Sequence, residues 1–203
     1  MVGGHHIELA KKLRYLGVIL DQRLTFAPHI KTVAERTSRS AVSLARIMPN
    51  TRGPCQWKRR LLSSVVESQL LYAAPVWATQ VSKIARTTAN LIRPQRAAAL
   101  RVIRAYRTVS DEASLLLARM PPADLVALER TRIIDRLSAA LDSGAVRTSK
   151  AAIKREERRA TLTLCQTRWE SSRKGKWIRR VIPNVRRWIE RTVVAVPSSY
   201  HMT

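Results

Sequence analysis

Apolar residues recurring at steps of three and four limit this chain more than any other feature, because that period suits a helix and not a strand. Ile30, Val33, Thr37, Ala41, Leu44 and Met48 form one such run. Thr25 or Pro28 can open it and Pro49 closes it, giving an amphipathic helix of about five turns. Pro54 opens a second helix with Trp57, Leu61, Val65 and Leu70 to Tyr72 on its apolar side. A third helical region runs from Ile84 to Tyr106 with Leu91, Ile92, Ala98, Ala99, Val102 and Ile103 inward, and Pro94 should kink it or mark a new start. Thr108 to Glu112 is an N-cap signature with acids in the first turn, leading a short helix through Leu115 to Leu117 that Met120-Pro121-Pro122 stops. A fifth helix spans Asp124 to Leu141, closed by Gly144, and a sixth spans about Lys150 to Trp169.

Only the front of the chain departs from this period. Leu13 to Leu20 has a strand's length and β-branched and aromatic content, with Asp21-Gln22 as its turn and Gly17 marking a bulge or a close backbone approach. The expected fold is therefore mainly α: a helical bundle with a short N-terminal β-strand or hairpin and a basic C-terminal helical linker. An isolated hairpin is only marginally stable, so the strand is expected to be mobile.

Charge narrows the function. Among 203 residues the net charge is +24, with 29 Arg against 9 Lys. The surplus is uneven: residues 1–107 hold 19 basic and 4 acidic side chains, 108–146 hold 4 and 6, and 147–191 hold 15 and 4. Like charges repel in a compact state, so a polyanionic partner is implied, and nucleic acid suits the planar guanidinium fork better than a membrane surface does. No apolar run approaches the roughly 18 residues of a membrane span, and Met1 to Ala10 lacks a signal-peptide core, so an intracellular, nuclear or cytoplasmic protein is expected. Cys55 and Cys165 have no ligand spacing, and the adjacent His5 and His6 read as solvated, so no metal site is expected in this chain.

The sequence also lacks a nucleotide-binding glycine loop, a nucleophile elbow and a paired acidic motif for two magnesium ions. Its acids fit caps and helical pairs, such as Glu129 with Arg132, or Glu156 and Glu157 among Arg155, Arg158 and Arg159. Candidate binding residues are basic clusters. Lys58, Arg59 and Arg60 lie at a helix N-terminus, where cations oppose the macrodipole and an anionic ligand would relieve them. The stretch around Arg168, Trp169, Arg173, Lys174, Lys176, Trp177, Arg179, Arg180, Arg186 and Arg187 interleaves rings with cations, which suits single-stranded nucleic acid, and a docking role on the bundle suits Trp169 and Trp177 equally. Trp188, with Val185 and Ile189, reads instead as the seam of a short docking helix.

Four stretches in order, KLRYLGVILDQRLTFAPHI, LLYAAPVWA, QRAAALRVIRAYRTVSDEASLLLARMPP and RWESSRKGKWIRRVIPNVRRWIER, resemble the reverse transcriptases of non-LTR (LINE-type) retrotransposons. Their flavour is that of insect elements that insert into ribosomal DNA or telomeric repeats. The resemblance implies that residues 1–26 end a polymerase palm, with Lys11, Lys12 and Arg14 leading into a primer-grip strand at Tyr15-Leu16-Gly17. It implies a thumb and connector bundle over 27–146 and a basic linker over 147–203. SSYHMT would then precede a zinc knuckle. The magnesium-binding Tyr-x-Asp-Asp palm is expected outside this chain, which would be a piece of a longer polyprotein, holding RNA template and DNA primer without its own catalytic centre. A free-standing or domesticated basic RNA- or DNA-binding protein fits the same composition.

Overall fold

The computed structural model describes residues 10–142 and 149–191. The expectations for His5, His6, Gly144 and the SSYHMT end lie outside the described residues. The chain opens with a hairpin, β1 (Lys12–Tyr15) and β2 (Val18–Asp21), paired antiparallel with Lys12 opposite Asp21 and Tyr15 opposite Val18. Its turn is Leu16-Gly17, not Asp21-Gln22, because both Leu16 (φ 45°) and Gly17 (φ 83°) take the left-handed conformation that a two-residue hairpin loop demands. Asp21 has another task. Its carboxylate accepts hydrogen bonds from the Thr25 amide, the Thr25 hydroxyl and the Phe26 amide (3.2, 2.9 and 2.8 Å), which organises the entry to α1.

The expected first helix is α1 (Ala27–Ile47), with Pro28 in its first turn. Its inward face holds His29, Ile30, Thr37 and Ala41. Next comes α2 (Gln56–Leu70), but rotated from expectation: Trp57, Leu61 and Val65 are 61%, 64% and 44% exposed, while Arg59, Ser63, Val66 and Leu70 are buried. Two stripes of the same period compete on this helix. The arginine-bearing stripe goes inside because backbone carbonyls wait for its guanidinium there.

The short α3 (Ala74–Val81) escapes sequence reasoning; a turn at 71–73 with Ala73 left-handed (φ 50°) separates it from α2. It inserts Trp77, 1% exposed, with Nε1 donating to the Tyr72 carbonyl. Pro94 neither ends nor restarts α4 (Ala85–Ile103), which runs through it. Ser110 caps α5 (Asp111–Leu117) by accepting from the Ala113 amide, as the signature requires. Then follow α6 (Ala123–Asp142), α7 (Lys150–Ser171), α8 (Lys176–Val181) and α9 (Val185–Glu190).

The main core joins Val18 and Phe26 to α1, α2, α3, α4 and α6 through Ile30, Val66, Leu70, Trp77, Leu91 and Ala127. The hairpin is anchored as well: Val18 is buried, the Ile19 amide donates to His29 Nδ1 (3.3 Å), and Tyr72 Oη donates to the Leu16 carbonyl (3.0 Å). Gly17 does mark a close approach, since a Cβ there would lie 3.2 Å from the Tyr72 ring.

Residues 149–191, expected as a linker, fold back onto the bundle. Leu116, Leu125, Cys165, Trp169, Ile182 and Val185 share a second core, and Ala99, Val102, Leu115 and Met120 a third. Acids of α6 and α7 reach across to the other helix. Glu157 pairs with Arg132 (2.5 Å) and Arg136 (3.0 Å), Glu156 with Arg136 (2.7 Å), and Glu129 with Arg158 (3.3 Å), which replaces the expected Glu129–Arg132 pair. Among the described residues no helix is long and apolar enough to cross a membrane.

Candidate nucleic-acid interface

Carboxylates set how many cations are left for a partner. Among the described residues, ion pairs occupy six arginines: Arg96, Arg132, Arg136, Arg158, Arg168 and Arg186. Backbone carbonyls occupy others, and Arg59 is the extreme case. It is fully buried and donates to the carbonyls of Met48, Pro49, Arg52, Pro54 and Arg101. Burial, then the charges of Arg104 and Arg101, push its pKa down. With its fork committed to five carbonyls it has nothing to offer a phosphate, so the expected cluster at the start of α2 reduces to Lys58 and Arg60. Lys58 lies over the exposed Trp57 ring, 5.5 Å from its centroid.

The tryptophan-rich stretch divides the same way. Trp169 is 3% exposed and donates Nε1 to the Ile182 carbonyl (3.0 Å), so no base can stack on it. Arg168 makes a bidentate pair with Asp124 (3.0 and 2.6 Å), which raises the arginine's pKa. Arg179 packs 5.4 Å from the Trp169 centroid and donates to the Glu170, Ser172 and Lys174 carbonyls. Arg186 pairs with Glu190 at 3.0 Å. Trp177, 73% exposed, remains open, and Arg173, Lys174, Lys176 and Arg180 near it in sequence, like Arg187 on α9, are exposed and make no side-chain hydrogen bond or ion pair among the described residues. Trp188 docks as expected, Nε1 donating to the Leu116 carbonyl (2.9 Å). On the hairpin, Lys11, Lys12, Arg14, Tyr15 and Leu16 are exposed; Gly17 serves the turn.

Sequence reasoning misses the broadest basic feature. A groove of about 1120 Å³ runs between α1 and α4. Its floor is small or neutral: Ala34, Ser38, Asn90, Pro94 and Ala97. Its rims carry Lys31 and Arg39 from α1, Arg86 and Arg93 from α4, and Lys12 from β1, against one acid, Glu35. None of these five cations has an ion pair or a side-chain hydrogen bond among the described residues. Small residues let a backbone approach, and unpaired cations on both rims suit phosphates. The only signal in the sequence was the arginine surplus itself, since the residues come from two helices some fifty positions apart.

Among the described residues no three His, Cys, Asp or Glu side chains stand where they could share a metal ion. Cys165 is free and buried, its thiol pushed up to about 11 chiefly by burial, which leaves it inert.

No family model matches the chain, and no solved structure does. Curated relatives do. The chain is 28% identical over 196 residues (86% of this chain, 50% of the relative) to a retrovirus-related Pol polyprotein from type-1 retrotransposable element R1 3 of Nasonia vitripennis. It is 32% identical over 125 residues (59% of this chain, 35% of the relative) to another Pol polyprotein from element R1 of the same wasp. A 115 kDa protein in the Drosophila melanogaster element R1DM is 29% identical over 125 residues, 61% of this chain and 12% of that protein. The chain thus spans half or less of the length of these relatives.

Proposed function

We propose that this relative of the R1-type non-LTR retrotransposon Pol polyproteins is a nucleic-acid-holding part of a reverse transcriptase, which grips template and primer through phosphate contacts and contributes no catalytic centre of its own. The α1–α4 groove carries the reading, with five unpaired cations facing one acid. Arginine and lysine on the rims neutralise phosphates without reading sequence, and the neutral floor leaves room for the sugar-phosphate chain. Exposed Trp177 and its cations, together with Lys58 over Trp57, add stacking surfaces for unpaired bases. Among the described residues Asp111, Asp124, Glu129, Glu156, Glu157 and Glu190 pair with arginines, and in this reading the chain's part in polymerisation is positioning.

Binding of a labelled single-stranded RNA and of a primed RNA–DNA duplex across a salt series tests this. Log affinity should fall linearly with log salt, and Lys31→Ala/Arg86→Ala/Arg93→Ala should make the slope shallower by about 0.7–0.9 for each phosphate no longer neutralised. An unchanged slope would remove the groove from the interface. Primer extension by the chain alone with magnesium would overturn the non-catalytic reading.

A further inference from the structure

Arg93, on the rim of the groove, also lines a second, open cavity of about 670 Å³ bordered by α4, α5, α6, α7 and α9. Its walls mix apolar side chains, Ile92, Leu115, Leu116, Met120, Val185 and Ile189 among them, with charged ones from α4, α5, α6 and α7. A concave space of this size where polar groups converge on an apolar wall suits a small ligand.

The polar groups decide which ligand fits. Arg168 is locked on Asp124, and Arg96 is held by Asp111 (2.7 Å) and by the Arg107 and Val109 carbonyls, so these donors are taken. Glu112 is different. It lines the cavity, its Oε2 is buried, and its carboxylate accepts no hydrogen bond among the described residues. A buried acceptor without a donor is a liability unless a ligand supplies one. The cavity therefore asks for a flat, apolar-faced molecule whose edge carries adjacent N–H donors, joined to a phosphate that Arg93 can meet.

Among nucleobases, only guanine presents two neighbouring donor groups, N1–H and the N2 amino group, that both oxygens of one carboxylate can accept. Adenine and cytosine place their amino group beside a ring acceptor, and uracil flanks its single N–H with carbonyls. We propose that this cavity receives an unpaired guanine of the strand lying in the α1–α4 groove, with Glu112 reading its Watson–Crick edge and Arg93 holding the adjoining phosphate. The proposal rests on the nucleic-acid-binding reading and adds base selectivity to it.

Binding of the full chain to oligo(U) 12-mers carrying one central guanine, inosine, adenine or no substitution tests it. Guanine should bind about tenfold tighter than adenine or uracil, the discrimination expected of one bidentate base contact. Inosine, which lacks the N2 amino group, should lose most of that gain. Glu112→Gln should abolish the preference; separately, Ala89→Trp, which fills the cavity from its exposed rim, should abolish it and leave plain oligo(U) affinity unchanged. Salt-dependent binding with no guanine preference, or a preference that survives both variants, would overturn the pocket and leave the groove standing. No binding to any oligomer would overturn the groove reading with it.

Discussion

The loop before α2 and the groove between α1 and α4 both owe their character to arginine, with opposite results. Between Met48 and Pro54 the backbone turns four carbonyls toward one point, Arg101 of α4 adds a fifth, and Arg59 occupies it. Gly53 (φ 82°) lets the loop close there, since a Cβ on it would meet Pro49 at 3.0 Å and the Arg59 guanidinium at 3.3 Å. In the groove Arg86 and Arg93 find no carbonyl and no carboxylate among the described residues. An arginine is thus built into the fold or left free for a partner according to the acceptors the backbone aims at it, and local sequence, in which Lys58-Arg59-Arg60 is one conspicuous cluster, does not show which.

The comparison can be broken most forcefully at Arg59. Arg59→Ala leaves buried carbonyls unpaired and a cavity, so it should cost about 3–5 kcal/mol in denaturant unfolding, with nucleic-acid affinity per folded molecule unchanged. A loss of affinity without a loss of stability would make Arg59 a binding residue. Smaller is the effect of Gly17→Ala at φ 83° against Tyr72, about 1–2 kcal/mol by thermal unfolding, if the hairpin is anchored as described. An indifferent melting curve would mean that the hairpin moves independently. Arg86→Ala/Arg93→Ala should change stability by no more than about 0.5 kcal/mol while weakening nucleic-acid binding.

A third class of arginine, paired with carboxylate, sharpens the contrast through pH. The side-chain hydrogen bond from Arg132, with that from Arg136, holds Glu157 below its ordinary 4.5. A depressed folded-state pKa stabilises fully above about 4.5 and is lost as pH falls from there through the folded value. Stability should therefore drop on acidification below 4.5, and Glu157→Gln should flatten that limb of the pH profile without touching the salt dependence of binding.

Most of the helices were legible because their periodicity and stops are local: α1 between Pro28 and Pro49, α5 behind Ser110, α6 after Pro121-Pro122. Relations between elements were not. Trp57-Leu61-Val65 and Arg59-Ser63-Val66-Leu70 share a period, and the carbonyl cage around Arg59 with the core around Val66 and Leu70 selects the second. Trp169 and Trp177 sit in equally basic surroundings, yet one shares a core with Leu116 and Leu125 from across the fold and the other meets solvent. Lys31 and Arg93 carry no mark in sequence that they face one groove.

Hydrogen exchange of the full chain with and without a single-stranded RNA oligomer puts the two regions side by side in one measurement. If the groove holds the strand, exchange slows on binding across Lys31–Val42 of α1 and Ala85–Ala97 of α4, with Pro49–Arg59 unchanged. Protection of Pro49–Arg59 with none along α1 and α4 would contradict this.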